Sequence, residues 1–344
     1  MKIIAPFSEA REIIPLKKAG ADELYCGFWP SEFVKEKGIL CAANRRYGRR
    51  ANFVNPGDLS SALAAAADNG IGVSVVLNEF YSPSQYELIL KVVGKLVNLN
   101  PDSLIVSDLG LVTHLRSYFP RLKLIMSVMG TTFNSYAAQF YGELGILRIV
   151  LPRRVPLSTI KKIREANPEL QFESIILNMG CPNIDGFCGF QHGLGFLPHK
   201  RFKRLVERIP LNFALNYLPL FLSNSLLEHI NTKNLGCSLN YRLLDSNAVS
   251  RLKEEGLRLE SRFSHNFFAC GVCRLPLLRE SGVEYLKIAG RGNPLQKKIK
   301  DIKFLKRALD IFESGKPGFE ENCRNLRKDI LGIKCRDQDC YYVR

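Results

Sequence analysis

Short apolar runs alternate with amphipathic segments along the first half of the chain. The runs are rich in β-branched and aliphatic residues, which is typical of buried strands. The segments between them repeat their apolar positions at helical spacing. The pattern predicts seven strands, in residues 2–6, 22–27, 72–78, 103–108, 122–127, 147–151 and 174–177, and an eighth much later, in residues 284–291. Amphipathic helices are predicted between the strands, and a basic helix at 295–312.

This alternation of strands and helices favours a parallel sheet with the helices on its outside. Eight strands would close the sheet, so we expect an α/β protein with a TIM-like (β/α)8 barrel. About a hundred residues separate the seventh and eighth strands, far more than one βα unit needs, which predicts an inserted subdomain between them. The expected domains are 1–188 with strands one to seven, the insertion at 189–265, barrel closure and the basic helix at 266–312, and a cysteine-containing tail at 313–344.

The composition indicates a protein with a full hydrophobic core and a strong excess of positive charge. Hydrophobic residues make up 46% of the 344 residues. No segment looks long and apolar enough to span a bilayer, and residues 1–6 do not resemble a signal peptide, so we expect a cytoplasmic protein with reduced thiols and no membrane partner. The net charge of +16 favours an anionic partner, RNA ahead of a membrane, with general solubility as the alternative explanation.

Four of the ten cysteines stand near predicted strand ends. Cys181 and Cys188 follow the seventh strand, at the end where α/β folds place their chemistry, and Cys270 and Cys273 precede the eighth. Because these strand ends are neighbours in a barrel, the two pairs can converge. Four thiolates suit Zn²⁺ or an iron–sulfur cluster, and the six residues between Cys181 and Cys188 exceed the spacing that structural zinc prefers. A cluster is therefore favoured over zinc; the simpler alternative is that the cysteines brace a turn.

Other catalytic motifs are missing from the sequence. It contains no HExxH, no GxSxG and no Walker-type glycine loop, and its five histidines form no metal-spaced pair. Asp108 ends the fourth predicted strand and is therefore a candidate catalytic residue at the barrel mouth. The alternative is that Asp108 only helps to form the turn from strand to helix.

One combination of stretches is distinctive. It comprises residues 17–25, 50–53, 104–110, 148–153 and 282–291, the pair Cys181 and Cys188, and Cys270 placed twelve residues before Gly282. In this combination the chain resembles peptidase family U32, from about residue 1 to residue 292. That family includes collagenase-like peptidases and also iron–sulfur enzymes that hydroxylate tRNA uridine, ribosomal RNA cytidine or a ubiquinone precursor.

The resemblance implies a cofactor and a reaction. The reaction would be an oxygen-independent hydroxylation with a prephenate-like anion as oxygen donor, and the basic charge directs the target towards RNA. The cofactor would be a [4Fe–4S] cluster, with zinc as the alternative, held by Cys181, Cys188, Cys270 and Cys273.

The chain also departs from the family pattern. Leu177-Asn178 stands where the family has His-Gly, and Ala289 replaces the glutamate of its final motif. The family's third cysteine has no equivalent, so Cys273 is taken as the substitute, with Cys237 and Cys41 as rival ligands.

Cations at strand ends are the remaining candidates. We expect Arg153 and Lys287 to act in catalysis beside Asp108, and an anionic donor or a phosphate to be bound by Arg49, Arg50 and Arg291. The alternative for these cations is pairing with carboxylates at the edge of the core. Two other functions stay open: a peptidase, as the family name suggests, and a non-catalytic cluster-binding partner protein. Some relatives work as pairs, so homo- and hetero-oligomers are both among the expected assemblies.

Overall fold

Eight parallel strands close into a barrel, which confirms the predicted TIM-like architecture. The computed structural model describes residues 1–30, 43–46, 51–181, 185–187, 268–336 and 339–342. The strands are β1 (Lys2–Pro6), β2 (Glu23–Phe28), β3 (Asn52–Phe53), β4 (Gly72–Leu77), β5 (Ser103–Val106), β6 (Lys123–Met126), β7 (Arg148–Leu151), β8 (Gln171–Leu177) and β9 (Tyr285–Ile288). Pairing of β1 with both β2 and β9 closes the ring, and the short β3 pairs with the carboxyl end of β2.

Helices follow most of the strands along the chain. They are α1 (Ile13–Ala19), α2 (Pro56–Asp68), α3 (Pro83–Val97), α4 (Leu109–Tyr118), α5 (Ser135–Glu143), α6 (Leu157–Ala166), α7 (Leu275–Glu280), α8 (Leu295–Glu313) and α9 (Phe319–Leu331). A 3-10 turn, Ala10–Glu12, leads into α1, and another, Val272–Arg274, leads into α7. None of the helices in the described part of the chain is long and apolar enough to cross a membrane.

Local sequence signals fix where several helices begin. Asn55, Asp108 and Asn134 each accept a hydrogen bond from a backbone amide in the first turn of α2, α4 and α5. Such N-caps satisfy amides that have no partner inside the helix. Before α3, the Ser82 amide donates to Gln85 Oε1 at 2.8 Å, as in a capping box. The caps place the helix starts directly after the strands or their short loops.

The barrel interior is filled by one layer to which every barrel strand contributes a side chain. Because side chains alternate along a strand, the neighbouring residues face outwards and pack against the helices in a second, larger core. The interior layer consists of Ile4, Tyr25, Val76, Ile105, Ile125, Val150, Ile175 and Tyr285. Polar and charged side chains lie on either side of this layer.

The prediction missed three elements of the described chain: β3, α7 and α9. The predicted insertion at 189–265 lies outside the described residues. The predicted tail, 313–344, is built mainly of α9 and of residues 339–342, where Cys340 forms an isolated bridge with Cys270. On its other side Cys270 bridges Leu177 at the end of β8, so the C-terminal segment adds to the edge of the barrel.

Candidate functional site

A cavity of about 130 Å³ lies at the carboxyl ends of the barrel strands; we call it the mouth cavity. Cys181 faces it, and its charged lining comprises Arg45, Arg46, Arg153, Asp185, Lys287 and Arg291. Among these described residues five are cations and one is a carboxylate. A concave site with such an excess of positive charge favours an anionic occupant.

The turn after β8 delivers Cys181 to the mouth cavity. Asn178 and Met179 adopt φ angles of 66° and 56°, in the left-handed region that non-glycine residues rarely occupy. The Asn178 amide is held by α8: its Nδ2 donates to Asp301 Oδ2 at 2.9 Å, and its Oδ1 accepts from Lys297 Nζ at 2.9 Å. These contacts stabilise a backbone conformation that is costly in isolation.

Arg291 is the cation of the mouth cavity that neutral groups hold in place. Its Nη2 donates to Asn44 Oδ1 at 2.8 Å and its Nη1 to Asn52 Oδ1 at 3.4 Å. Among the described residues no carboxylate lies at ion-pair distance from it. Burial, together with the charge of Arg46, lowers the pKa of Arg291 to about 10, so the guanidinium stays charged at neutral pH. A buried cation without a carboxylate partner is a strong site for an anion.

Gly27 makes room for this arginine. A Cβ at Gly27 would overlap Arg291 Nη1 and Asn52 Oδ1. Asn52 is placed by β3, and its Oδ1 also accepts from Asn44 Nδ2 at 2.9 Å. The sequence analysis missed Asn44 and Asn52 as site residues. For Asn52 there was a signal, because it lies in the 50–53 stretch that carries the family resemblance.

Arg153 lines the mouth cavity with its charge already compensated. Its Nε donates to Asp185 Oδ2 at 3.0 Å, its Nη2 donates to Oδ1, and its backbone amide donates to Oδ2 at 2.8 Å. Its Nη1 donates to the Met179 carbonyl. Burial acts to lower the pKa of Arg153, but the Asp185 charge raises it above the ordinary range. Arg153 therefore holds the loop that carries Cys181.

Lys287 belongs to a row of charges that crosses the barrel interior. Its Nζ donates to Glu173 Oε1 at 2.6 Å and lies 4.2 Å from the centroid of the Tyr25 ring. Glu173 also accepts from Arg148 at 3.3 Å, and Arg148 donates to Glu23 at 2.8 Å. Burial lowers the pKa of Lys287, and Glu173 counteracts that effect only in part. Lys287 therefore gives up its proton more readily than an exposed lysine.

Asp108 has a structural role at the start of α4. Its Oδ1 accepts from the Leu111 amide at 2.8 Å and from the Tyr86 hydroxyl, and its Oδ2 accepts from the Tyr81 amide at 3.2 Å. It is not among the described residues that line the mouth cavity. The interpretation of Asp108 as a strand-to-helix turn residue therefore accounts for its position. The polar neighbours that do line the cavity include Asn78 and Ser127, joined by a 3.0 Å hydrogen bond.

The predicted cluster ligands are divided between two cavities. Cys181 faces the mouth cavity, whereas Cys270 and Cys273 line a second cavity of about 50 Å³, here called the thiol cavity. The other thiols that line the thiol cavity are those of Cys335 and Cys340. Several predicted site residues and rival ligands lie outside the described residues: Cys188, Cys41, Cys237, Arg49 and Arg50.

The described residues include only three of the four predicted cluster ligands, so the full set stays a prediction. Within their ranges no three His, Cys, Asp or Glu side chains are placed to hold a metal ion. Backbone bridges join Cys270 to Leu177 at the end of β8 and to Cys340 in the C-terminal segment. Tyr341, next along that segment, packs against the interior layer of the barrel and donates its hydroxyl to the Asn178 carbonyl.

Curated relatives match part of the chain. The tRNA hydroxylation protein P of Haemophilus influenzae is 28% identical over 149 residues, which covers 43% of this chain and 32% of that protein. The tRNA hydroxylation protein P2 of Bacillus subtilis is 27% identical over 180 residues, which covers 52% of each chain. The match thus spans about a third to a half of the length of these relatives.

Two further comparisons concern the family itself. A solved structure of a U32 peptidase superposes with a TM-score of 0.45 at 14% identity, covering 84% of this chain and 92% of the other. The sequence model of Peptidase family U32 matches residues 9–199, more than half of the chain. The chain therefore belongs to Peptidase family U32.

Proposed function

We propose that the chain hydroxylates tRNA at its mouth cavity without using molecular oxygen. The names of the curated relatives support tRNA as the substrate and hydroxylation as the reaction. The net charge of +16 supports a polyanionic partner. The cationic lining of the mouth cavity supports a small anion as the second substrate.

The observation that carries this proposal is the environment of Arg291. Arg291 is 4% exposed, and its guanidinium is held by the Asn44 and Asn52 amides, beside Arg46 and near Lys287. Such a group gains a charge-assisted hydrogen bond when a carboxylate binds to it. We therefore assign Arg291 to the carboxylate of a prephenate-like oxygen donor.

With a hydroxylated anion as oxygen donor, the reaction balances without any other oxidant. The C–O bond of the donor breaks, its hydroxyl oxygen joins the target carbon, and the hydrogen displaced from that carbon takes the vacated position. The target is oxidised by one electron pair and the donor is reduced by the same pair. Lys287, with its lowered pKa, is the residue in the cavity suited to hold or release a proton during the exchange.

We retain a [4Fe–4S] cluster as the proposed cofactor of the mouth cavity, where it would supply electron transfer. Cys181, which lines this cavity, is the described cysteine that would hold it. Because Cys270 and Cys273 line the thiol cavity instead, the other ligands would come from residues outside the described ranges. Cys188 and the rivals Cys41 and Cys237 are the cysteines available there.

Mass spectrometry of tRNA nucleosides tests the proposal. Deletion of the gene should remove a hydroxylated nucleoside, and the wild-type chain should restore it. Arg291→Gln should lower the restored fraction at least about tenfold, because losing one partner of a buried charged contact costs about 2 to 5 kcal/mol. The matched control is Lys161→Gln on the exposed side of α6, which should restore the nucleoside fully. Unchanged nucleosides in the deletion strain, or full restoration by Arg291→Gln, would contradict the proposal.

A further inference from the structure

Two cysteine pairs that are far apart in the sequence meet at the thiol cavity. Cys270 and Cys273 are separated by two residues, and Cys335 and Cys340 by four. Backbone pairing holds the two segments together: the Cys270 amide donates to the Asp339 carbonyl at 2.7 Å, and the Tyr341 amide donates to the Cys270 carbonyl at 3.1 Å. The thiol cavity shares no described lining residue with the mouth cavity.

This spacing matches the one that structural zinc sites use. Structural zinc sites take two cysteine pairs whose members are two to four residues apart, on segments that the rest of the fold brings together. The pairs at the thiol cavity meet both conditions. The Cys181 and Cys188 pair has a wider spacing, with six residues between its members, and Cys181 lines the mouth cavity.

The side chains around the thiol cavity carry a net positive charge that would balance the negative charge of a metal tetrathiolate. Four arginines line it: Arg274, Arg324, Arg327 and Arg336. Two carboxylates oppose them in the described residues, Glu320 at 2.6 Å from Arg274 and Asp339 at 3.4 Å from Arg327. The surplus of two positive charges equals the two negative charges of a Zn²⁺ ion bound by four thiolates. Without such a partner, a concentration of arginines is unfavourable in a partly buried site.

Arg327 already contacts one of the thiols. It is 2% exposed, and its Nη1 donates to Cys335 Sγ at 3.5 Å. Its Nε is buried and has no hydrogen-bond partner among the described residues. Buried donors normally have partners, and a second thiolate in the cavity would supply one. The arginine is thus built into the cavity wall as a donor to sulfur.

The thiols now use other partners. Cys273 Sγ donates to the Glu320 carbonyl at 3.9 Å, and the Cys273 thiol also shares a hydrogen bond with the thiol of Cys323 on α9. The described side chains do not converge on one metal position, so binding involves rotation of the thiols into the cavity that they line. On binding, four thiols would release four protons and coordinate as thiolates.

We propose that Cys270, Cys273, Cys335 and Cys340 form a tetrathiolate zinc site that fastens the C-terminal segment to the end of β8. The site is structural and is independent of the reaction at the mouth cavity. Bound zinc would join α9 and residues 339–342 to the barrel through coordinate bonds in addition to the backbone pairing.

Metal analysis of the full chain, purified without oxygen, tests the proposal. Wild-type protein should contain about one zinc per chain. The double variant Cys335→Ser/Cys340→Ser should lose at least about nine-tenths of that zinc. Cys181→Ser is the matched control: it should keep the zinc while losing any iron and acid-labile sulfide held at the mouth cavity. The two proposals can therefore fail separately.

A second measurement uses the wild-type chain, so that the test does not depend on the double variant folding correctly. Wild-type chain that is stripped of metal and given Co²⁺ should develop the intense visible absorption of tetrahedral cobalt thiolate, and added Zn²⁺ should abolish it. The proposal is overturned if wild type binds neither zinc nor cobalt. It is also overturned if Cys181→Ser loses the zinc, or if the thiol cavity proves to hold iron with sulfide.

Discussion

At the scale of single residues, the site depends on a close approach between a side chain and a backbone position. The Arg291 guanidinium lies against Gly27 in β2 while Asn44 and Asn52 hold its nitrogens. Any side chain at Gly27 would occupy the space of the arginine. The geometry of the proposed anion site is therefore set by the absence of a Cβ as much as by the arginine itself.

Replacing Gly27 with alanine should displace Arg291 and abolish nucleoside restoration in the deletion strain. The methyl group must displace buried side-chain atoms, and overpacking of this kind costs about 1 to 3 kcal/mol. Urea denaturation measures that cost, and nucleoside analysis measures the function. Gly94→Ala in α3 is the control, because nothing lies within 4 Å of a Cβ there. It should stabilise the chain by about 0.5 to 1 kcal/mol. Equal behaviour of the two variants would show that the close approach is unimportant.

At the scale of elements, α8 is fastened to the start of the chain by a buried ion pair. Lys298 Nζ donates to Glu12 Oε2 at 2.7 Å and to Oε1 at 3.0 Å. The two side chains are 1% and 6% exposed, and the Ser8 amide donates to the same carboxylate at 2.8 Å. Burial lowers the pKa of Lys298, while Glu12 acts to raise it. The pair thus links α8 to the 3-10 turn that leads into α1.

Removing one member of this pair should be far more harmful than removing a surface pair on the same helix. Lys298→Met should lower the free energy of unfolding by about 3 to 5 kcal/mol, because Glu12 would be left buried and unpaired. Lys306→Met is the control, since Lys306 and Asp310 are about half exposed, and it should cost at most about 1 kcal/mol. Urea denaturation measures the free energy of unfolding of both variants. Similar losses in the two would contradict a stabilising role for the buried Lys298–Glu12 pair.

The sequence predicted the elements in which burial produces a clear pattern of apolar residues. The barrel strands are continuous apolar runs, and both faces of each strand are buried, so their existence and order were readable. Helix α9 was missed although its sequence carried a signal, because Phe319, Cys323, Leu326 and Ile330 recur at helical spacing and pack against the core. Strand β3 was missed because two residues are too short to show a period.

The candidate site was predictable in position but not in its pairings. Strand order alone places Arg153, Lys287 and Arg291 at one end of the barrel. Which of them keeps an uncompensated charge depends on Asp185 and Glu173, whose distances no spacing in the sequence encodes. The cysteines show the same limit. Neighbouring strand ends suggested one set of four, whereas the structure places Cys270 and Cys273 at a cavity that Cys335 and Cys340 also line.

At the scale of the whole molecule, positive charge dominates. Lysine and arginine number 49 against 33 acidic residues, and the exposed side of α8 carries Lys300, Lys303 and Arg307. Charge of this sign raises the local concentration of polyanions and speeds their association. It does not by itself select a sequence, so under the proposed function the mouth cavity would select the nucleotide.

Binding to tRNA should therefore weaken steeply as salt is added. Each phosphate neutralised releases condensed counterions, which gives a slope of log K against log salt of about −0.7 to −0.9 per phosphate contact. Fluorescence anisotropy between low and physiological salt measures this slope. The Arg291→Gln chain serves as a control and should keep the same slope, because Arg291 is assigned to the small anion. Binding that is absent at low salt, or that ignores salt, would argue against tRNA as substrate.

The row of charges inside the barrel has a consequence for how the chain folds. Arg148 in β7 meets Glu23 from β2 and Glu173 from β8, and Lys287 from β9 completes the row. A partly assembled barrel that lacked either end of the chain would enclose at least one of these charges without its partner, at a cost of several kcal/mol. Half-barrels should therefore be poor intermediates, and ring closure should be the step that commits the chain to its native state. Topology and electrostatics together make the barrel fold as one cooperative unit.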